Sequence, residues 1–188
     1  MKTSLQKYWL VIIISIVLII DQVSKYIIKT NMYVGQSFPV MGNFFRITYV
    51  ENPGMAFGIQ FSNTALFFGL SIVAAILVFY YLYRIRNESW LLQIALSFVT
   101  AGAIGNLADR FLRGKVVDLF DFEFFDIFIP SFNFLGIQFA GYSMTRWPVF
   151  NVADMAVSGG MIILIFYIIF VGDPFKPVVK SPAASSDE

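Results

Sequence analysis

Residues 90–110 read WLLQIALSFVTAGAIGNLADR, and this stretch decides the class of fold. Its first 19 residues carry no charge, and about 20 mostly apolar residues are enough for a helix to cross the ~30 Å hydrocarbon layer of a membrane. Asn106, Asp109 and Arg110 follow at i, i+3 and i+4, on one face of such a helix. The stretch therefore predicts a transmembrane helix with polar groups at one end.

Three more stretches have the length and polarity of spans, and the composition agrees with them. Hydrophobic residues make up 58% of the chain and charged residues only 13%, against roughly 25% charged in soluble domains. We expect an all-α membrane protein with four transmembrane helices, over about residues 8–28, 65–83, 90–110 and 153–172. Residues 1–172 would form one membrane-embedded domain, and residues 173–188 a disordered tail rich in Pro and Ser.

The first predicted span has a second interpretation, as a cleaved signal peptide, because Lys2 and Lys7 precede its apolar core. No small-residue cleavage site follows that core, since the chain continues as DQVSK from Asp21. We therefore favour a retained helix.

Orientation rests on a few basic residues close to the spans. The raw count of basic residues is six on one side and seven on the other, which does not orient the chain. The basic residues in very short segments at span ends indicate the cytoplasmic side; they are Lys2, Lys7, Arg84 and Arg86. We expect cytoplasmic termini, with segments 30–63 and 114–150 on the extracytoplasmic side.

Two absences from the composition restrict the chemistry. The chain has no Cys, which excludes a thiolate nucleophile and disulfides, and no His, which excludes a Ser-His-Asp triad and an ordinary zinc site. Its net charge of +1 provides no basic surplus for nucleic acid. We expect no metal, no cofactor and no nucleic-acid partner, and chemistry carried by Asp, Glu, Lys, Ser, Tyr or backbone groups.

The segments between spans predict a small extracytoplasmic sheet and an aromatic insert. Residues 44–50, FFRITYV, are rich in aromatic and β-branched residues and predict a strand. Residues 119–148 alternate Phe with acidic residues and then become apolar. This insert is too acidic to span and predicts an amphipathic strand or helix at the level of the lipid headgroups.

Two aspartates meet where the predicted helices share a polar end. Asp118 follows the third span, and Asp154 opens the fourth, three residues after Asn151. Asp154 could simply be a first-turn acid favoured by the helix dipole, but Asn151 is the better N-cap and leaves Asp154 to project inward. Two close carboxylates share one proton, so one can activate water while the other polarises a carbonyl. The pattern favours peptide hydrolysis. For Asp109, an internal ion pair is an equally good interpretation.

Five motifs in order along the chain resemble those of the bacterial lipoprotein signal peptidases. They are DQVSK from Asp21, NPGMAF from Asn52, GNLADR from Gly105, VVD ending at Asp118 and FNVAD ending at Asp154. The joint match is highly specific, although each motif alone is weak. The chain departs from the family pattern at residues 119–148, which look longer and more aromatic than the family form and could act as a lid or membrane-resting flap.

The resemblance implies a fold, a reaction and a set of site residues. Family members have four helices and a small extracytoplasmic sheet, and they cut diacylglyceryl-modified prolipoproteins before the lipidated Cys, at the outer surface of the bacterial cytoplasmic membrane. By this resemblance Asp118 and Asp154 are catalytic. Positions that line or brace the substrate site are Asn52, Gly54, Asn106, Asp109, Arg110, Asn151 and Ala153. We interpret Asp21 and Lys25 as a structural i,i+4 pair. Expected partners are the substrate, membrane lipids and inhibitory cyclic peptide antibiotics such as globomycin; we expect a monomer.

Three rival functions remain open at the level of sequence. A proton-coupled transporter could use the carboxylates as a relay, but the span centres offer few polar residues. A Ser/Lys protease would need Ser24 and Lys25, which are adjacent and therefore do not face each other on a helix. A purely structural membrane protein leaves the one-sided cluster of Asp and Asn unexplained.

Overall fold

The computed structural model describes residues 3–53, 64–84, 89–134, 137–139 and 141–172. Within these ranges the chain forms four helices: α1 (Thr3–Asn31), α2 (Thr64–Arg84), α3 (Trp90–Arg113) and α4 (Val152–Phe170). Helix α3 is central and packs against each of the other three. Gly54, which the motif comparison assigned to the substrate site, and the predicted tail 173–188 lie outside the described residues.

Three of the described helices are long and apolar enough to cross a membrane: Tyr8–Asn31, Trp90–Arg113 and Val152–Phe170. Their outer faces are apolar as well, since Ile162 is 68% exposed and Ile169 67% exposed on α4. Such faces are costly in water and suited to lipid. The predicted span over 65–83 falls within α2, whose apolar part in the described residues, Gly69–Tyr81, is shorter. An integral membrane protein is supported, and the fourth span stays a prediction.

Helix α3 begins and ends with local signals that place the next strand. The Ser89 hydroxyl oxygen accepts a hydrogen bond from the backbone N–H of Leu91 at 3.3 Å, as an N-cap does. At the other end Gly114 has φ of 73° and donates its N–H to the carbonyl of Arg110 at 3.0 Å. A left-handed Gly is a common helix terminator. It turns the chain directly into the strand that carries Asp118.

Helices α3 and α4 approach each other closely at two glycines. A Cβ on Gly102 would lie 2.3 Å from the carbonyl oxygen of Ala153, and a Cβ on Gly160 would lie 2.5 Å from that of Ala95. Small residues at a helix interface allow this backbone contact inside a membrane. Because Ala153 precedes Asp154, the packing at Gly102 determines where the first turn of α4 lies.

A three-stranded antiparallel sheet covers one end of the helices. Its strands are β1 (Ser37–Met41), β2 (Phe45–Asn52) and β3 (Val116–Phe122), in the order β1-β2-β3. Tyr49, Val117 and Leu119 form a buried cluster with Ile28 near the end of α1. The sheet therefore sits on the same end of the bundle as Asp21 and Asp109. The predicted strand over 44–50 and the small sheet are confirmed.

Beyond β3 the described residues between 124 and 147 (124–134, 137–139 and 141–147) form a two-stranded aromatic ribbon. Strand β4 (Ile127–Ile129) pairs with β7 (Tyr142–Met144), and farther out β5 (Phe132–Phe134) pairs with β6 (Ile137–Phe139), both antiparallel. Of the two predicted forms of the insert, the helix is wrong and the strand is confirmed. The first residues of the stretch, 119–122, complete β3 and bond to β2 through the sheet, and the ribbon follows them. Main-chain pairing across the ribbon decides this local structure.

Candidate active site

The candidate site lies where the end of α1, the end of α3, the start of α4 and the sheet meet. The polar side chains there that are fully or nearly fully buried are Asp21, Lys25, Asp109, Asp118 and Asn151. Burial of so many ionisable groups is costly unless each is paired or hydrogen-bonded. The contacts therefore show what each group does.

Asp118 is held by two amides from different parts of the fold. It lies on β3 opposite Val50 of β2 and is 2% exposed. Its Oδ1 accepts from Asn151 Nδ2 at 2.6 Å, and its Oδ2 accepts from Asn52 Nδ2 at 3.2 Å. Each carboxylate oxygen thus has an amide donor, which fixes the plane of the carboxyl group.

Asp154 is held by the start of its own helix and by α3. Asn151 is the N-cap of α4, as predicted: its Oδ1 accepts from the backbone N–H of Asp154 at 3.0 Å. Asp154 returns the contact, because its Oδ2 accepts from the backbone N–H of Asn151 at 3.1 Å, which completes a capping box. Its Oδ1 accepts from Asn106 Nδ2 at 2.8 Å. Asp154 therefore does more than project inward: one oxygen caps the helix, and the other faces α3.

The two carboxylates share one amide network. Asn151 Nδ2, which donates to Asp118, also lies 3.2 Å from Asn106 Oδ1, and Asn106 donates in turn to Asp154. The network runs from strand β3 through the α4 cap to α3. Asp118 and Asp154, which are distant in sequence, are thereby brought into one site.

The environment of Asp118 favours a retained proton. Burial raises the pKa of Asp118 to about 7, and the nearby Asp154 charge adds to this, against the lowering effect of the hydrogen bonds from Asn151 and Asn52. A carboxyl in this state holds a proton near neutral pH, as the acid of an acid–base pair requires.

Lys25 lies at the centre of a buried charge cluster beneath the aspartates. Its Nζ is 2.9 Å from Asp21 Oδ2 and 2.9 Å from Asp109 Oδ2, and all three side chains are buried. Nζ also donates to Asn106 Oδ1 at 3.2 Å. The predicted i,i+4 contact with Asp21 is present, but Lys25 does more than the pairing predicts. Because Lys25 donates to Asn106 Oδ1, the Asn106 amide is oriented with its Nδ2 group toward Asp154.

The remaining predicted positions brace this cluster. Asp109 accepts from Val117 N–H at 3.3 Å and pairs with Arg113 as well as Lys25. The internal ion pair considered for Asp109 is present, with Lys25 and Arg113, and Arg110 also interacts electrostatically with this carboxylate. Arg110 donates to the Asn106 carbonyl at 3.3 Å. The backbone N–H of Ala153 donates to Asp21 Oδ1 at 3.0 Å, which ties the start of α4 to α1.

Two contributing residues were not identified from the sequence. Gln22 donates to Asp21 at 3.0 Å and approaches both the Gly105 carbonyl and Asp109 at 3.4 Å. Arg113 pairs with Asp109 at i,i+4, a spacing that could have revealed it. Nothing in local sequence marks Gln22, since two of its three partners, Gly105 and Asp109, lie on α3.

Comparison with known proteins gives this geometry a family context. The family model described as signal peptidase (SPase) II matches residues 13–170. The chain is 40% identical over 149 residues to a lipoprotein signal peptidase of Moorella thermoacetica, covering 79% of this chain and 85% of that protein. It is 36% identical over 163 residues to a lipoprotein signal peptidase of Staphylococcus aureus strain JH9, and the match covers 85% of this chain and 89% of that protein. It also resembles a bacterial membrane enzyme solved by the in meso method at 2.3 Å, with a TM-score of 0.65 and 32% identity over 85% of this chain and 87% of that chain.

Proposed function

The chain belongs to the signal peptidase II family, and we propose that Asp118 and Asp154 are the catalytic pair with which it removes signal peptides from prolipoproteins. The observation that carries the proposal is the shared amide network: Asn151 contacts both carboxylates, at 2.6 Å from Asp118 and through reciprocal capping bonds with Asp154. Both carboxylates accept from amide or backbone donors, and the Arg110 guanidinium interacts electrostatically with each of them.

In the proposed mechanism the pair starts with one proton, on Asp118. Asp154 is the ionised partner in this scheme, and its carboxylate accepts from Asn106 and Asn151 at the positive end of α4. Asp154 takes a proton from water, which attacks the scissile carbonyl while the Asp118 proton hydrogen-bonds to the carbonyl oxygen. Collapse of the tetrahedral intermediate transfers a proton to the leaving amine, and the pair is left with one proton for the next cycle.

The fold suits a substrate that is part lipid and part peptide. Apolar outer faces on the helices end at a polar site roofed by the sheet. We propose that the acyl chains of a diacylglyceryl-modified Cys remain in lipid while the peptide bond before that Cys enters the site, at the outer surface of the cytoplasmic membrane. Four spans and cytoplasmic termini are part of this proposal and agree with a site on that side of the membrane. Asn52, which bonds to Asp118, and Arg110, which interacts with both carboxylates, are the residues proposed to contact the peptide backbone. A monomer sensitive to cyclic peptides such as globomycin is part of the proposal.

The rival proton-coupled transporter receives no support from the arrangement of charges. Asp21, Asp109, Asp118 and Asp154 are clustered at one end of the helices, tied to one another by Lys25 and the two amides. A relay for protons would distribute such groups along the depth of the membrane.

The decisive experiment measures cleavage of a purified diacylated prolipoprotein by the purified protein and its Asp118→Asn and Asp154→Asn variants. Either substitution is expected to lower the cleavage rate at least about 10³-fold, since removing one residue of a catalytic pair abolishes the contribution of both. The matched control is Asp126→Asn, which makes the same change at an exposed carboxyl in the ribbon and should leave the rate unaltered. Near-normal cleavage by Asp118→Asn or Asp154→Asn would exclude the proposed mechanism. Mass spectrometry of the product identifies the bond that is cut.

A further inference from the structure

The aromatic ribbon is too small and too exposed to be stable on its own in water. A two-stranded hairpin is marginal without a third strand or a covering element. Here Phe128 is 75% exposed, Phe132 50% and Ile129 46%. Residues 128 and 129 are neighbours on a strand and point to opposite faces, so both faces of the inner half expose apolar side chains. The ribbon needs a surface to lie against.

The outer half of the ribbon has one apolar and one polar face. Phe132 pairs with Phe139 and Phe134 with Ile137, whereas Asn133 pairs with Gln138. Because successive strand residues alternate between faces and directly paired residues share a face, Phe132 points to one face and the two amides, Asn133 and Gln138, point to the other. Residues 127–145 contain no charged residue at all. A surface that covers the apolar face must therefore attract it without charge.

The base of the ribbon is held firmly to the sheet. Arg146 Nε donates to Asp121 Oδ1 at 2.7 Å and its NH1 group donates to the Asn43 carbonyl at 3.0 Å. Trp147 N–H donates to the Phe122 carbonyl at 2.8 Å. The sheet in turn packs on the ends of α1 and α3. The ribbon thus projects from the level at which the helices end, which is where a bilayer that surrounds them has its interface.

We propose that the aromatic ribbon inserts its apolar face into the headgroup–acyl boundary of the bilayer in which the helices are embedded, with the amide face toward water. An interface of this kind accepts aromatic rings and uncharged amides. Insertion satisfies the ribbon's need for a covering surface and holds the sheet that carries Asp118 at a constant depth. The contact with lipid does not depend on the catalytic roles proposed for Asp118 and Asp154.

The absence of Cys from the sequence allows a direct test by labelling. Phe132→Cys and Asn133→Cys, each carrying the polarity-sensitive fluorophore NBD, place probes on opposite faces one residue apart. The labelled full-length proteins are placed in phosphatidylcholine nanodiscs, with a doxyl quencher on the lipid acyl chain or iodide in the water. Doxyl should quench the label at 132 several-fold more than the label at 133, and iodide should show the reverse order. Replacing part of the lipid with phosphatidylglycerol, or adding salt, should leave both results unchanged.

Other occupants of the apolar face give different results in the same samples. Equal doxyl quenching at the two positions, or none at either, overturns the proposal. Protection of position 132 only after a prolipoprotein is added shows a lid over the substrate and also overturns it. Energy transfer between labelled copies that increases with protein density shows a self-associating face, with the same consequence. Phe128→Cys provides a second probe if a label at 132 prevents folding. A catalytically inactive sample with the expected quenching leaves the lipid contact supported and rejects only the proposed function.

Discussion

The Asn151 side chain donates from Nδ2 to Asp118 Oδ1 at 2.6 Å, and its Oδ1 accepts from the backbone N–H of Asp154 at 3.0 Å. One amide thus joins the strand that carries the first aspartate to the helix that carries the second. Its Nδ2 group donates to the candidate site and its Oδ1 caps the helix, and these are two separable tasks. Substitutions can remove one task without the other.

Asn151→Asp is expected to retain the cap and lose the donor. The carboxylate still accepts from the N–H of Asp154 and keeps the capping contribution of about 1 kcal/mol, while a third buried carboxylate beside Asp118 costs stability that is recovered when it is protonated at acid pH. Loss of the hydrogen bond to Asp118 should lower cleavage about tenfold, since a buried acceptor left without its donor costs roughly 1–3 kcal/mol. Asn151→Ala removes both tasks and should lower stability by about 1 kcal/mol at either pH. Unfolding curves at neutral and acid pH and initial rates on both variants check this; a stability loss of Asn151→Asp that does not decrease at acid pH would contradict the separation.

The pH dependence should report the proton on Asp118. Because the pKa of Asp118 is raised to about 7, the carboxyl keeps its proton below that pH and loses it above. Cleavage efficiency, measured as kcat/KM, should therefore fall as pH rises through 7, by about tenfold per pH unit on the alkaline side.

Asn52→Ala should move this alkaline limb toward higher pH. The Asn52 hydrogen bond lowers the pKa of Asp118, so its removal raises that pKa further. A pH–rate profile of the variant beside that of the unmodified protein makes the comparison. A limb that stays in place or shifts to lower pH would show that Asp118 does not carry the required proton.

Lys25→Met should destabilise the protein strongly. It removes the cation that contacts both Asp21 and Asp109, and breaking a buried ion pair costs roughly 3–5 kcal/mol. Adding Asp21→Asn to the same variant removes one of the uncompensated charges and should recover part of the loss. Thermal unfolding in detergent measures both. If the double variant is less stable than Lys25→Met alone, uncompensated buried charge is not the main cause of the destabilisation.

Gly102→Ala should disturb the site through packing alone. Its Cβ would meet the Ala153 carbonyl at 2.3 Å, so α4 must shift at the turn that bears Asp154, at a cost of about 1–3 kcal/mol. Gly159→Ala, on α4, meets nothing within 4 Å and is the matched control. Reduced cleavage and stability are expected for the first variant only, and an equal effect of both would point to helix propensity as the cause.

The sequence by itself determined that this protein lies in a membrane and which reactive side chains it has. Long uncharged runs such as 90–108 are typical of membrane-spanning helices, since charged side chains are costly in the hydrocarbon layer. The absence of Cys and His excludes thiolate and imidazole chemistry and leaves Asp, Glu, Lys, Ser, Tyr or backbone groups. The caps at Asn151 and Gly114 and the strand over 44–50 depend on local backbone preferences, which short stretches express without help from the rest of the chain.

Only the tertiary structure decided how the polar residues are connected. Lys25 with Asp109, Asn52 with Asp118 and Asn106 with Asn151 are contacts between elements far apart in sequence. These contacts depend on how closely α3 packs on α4 and on where Gly114 directs β3. Neither can be read from the periodicity of the sequence. The form of the aromatic insert was decided in the same way: alternating Phe and acidic residues suit either a strand or a helix until a second strand supplies the hydrogen bonds.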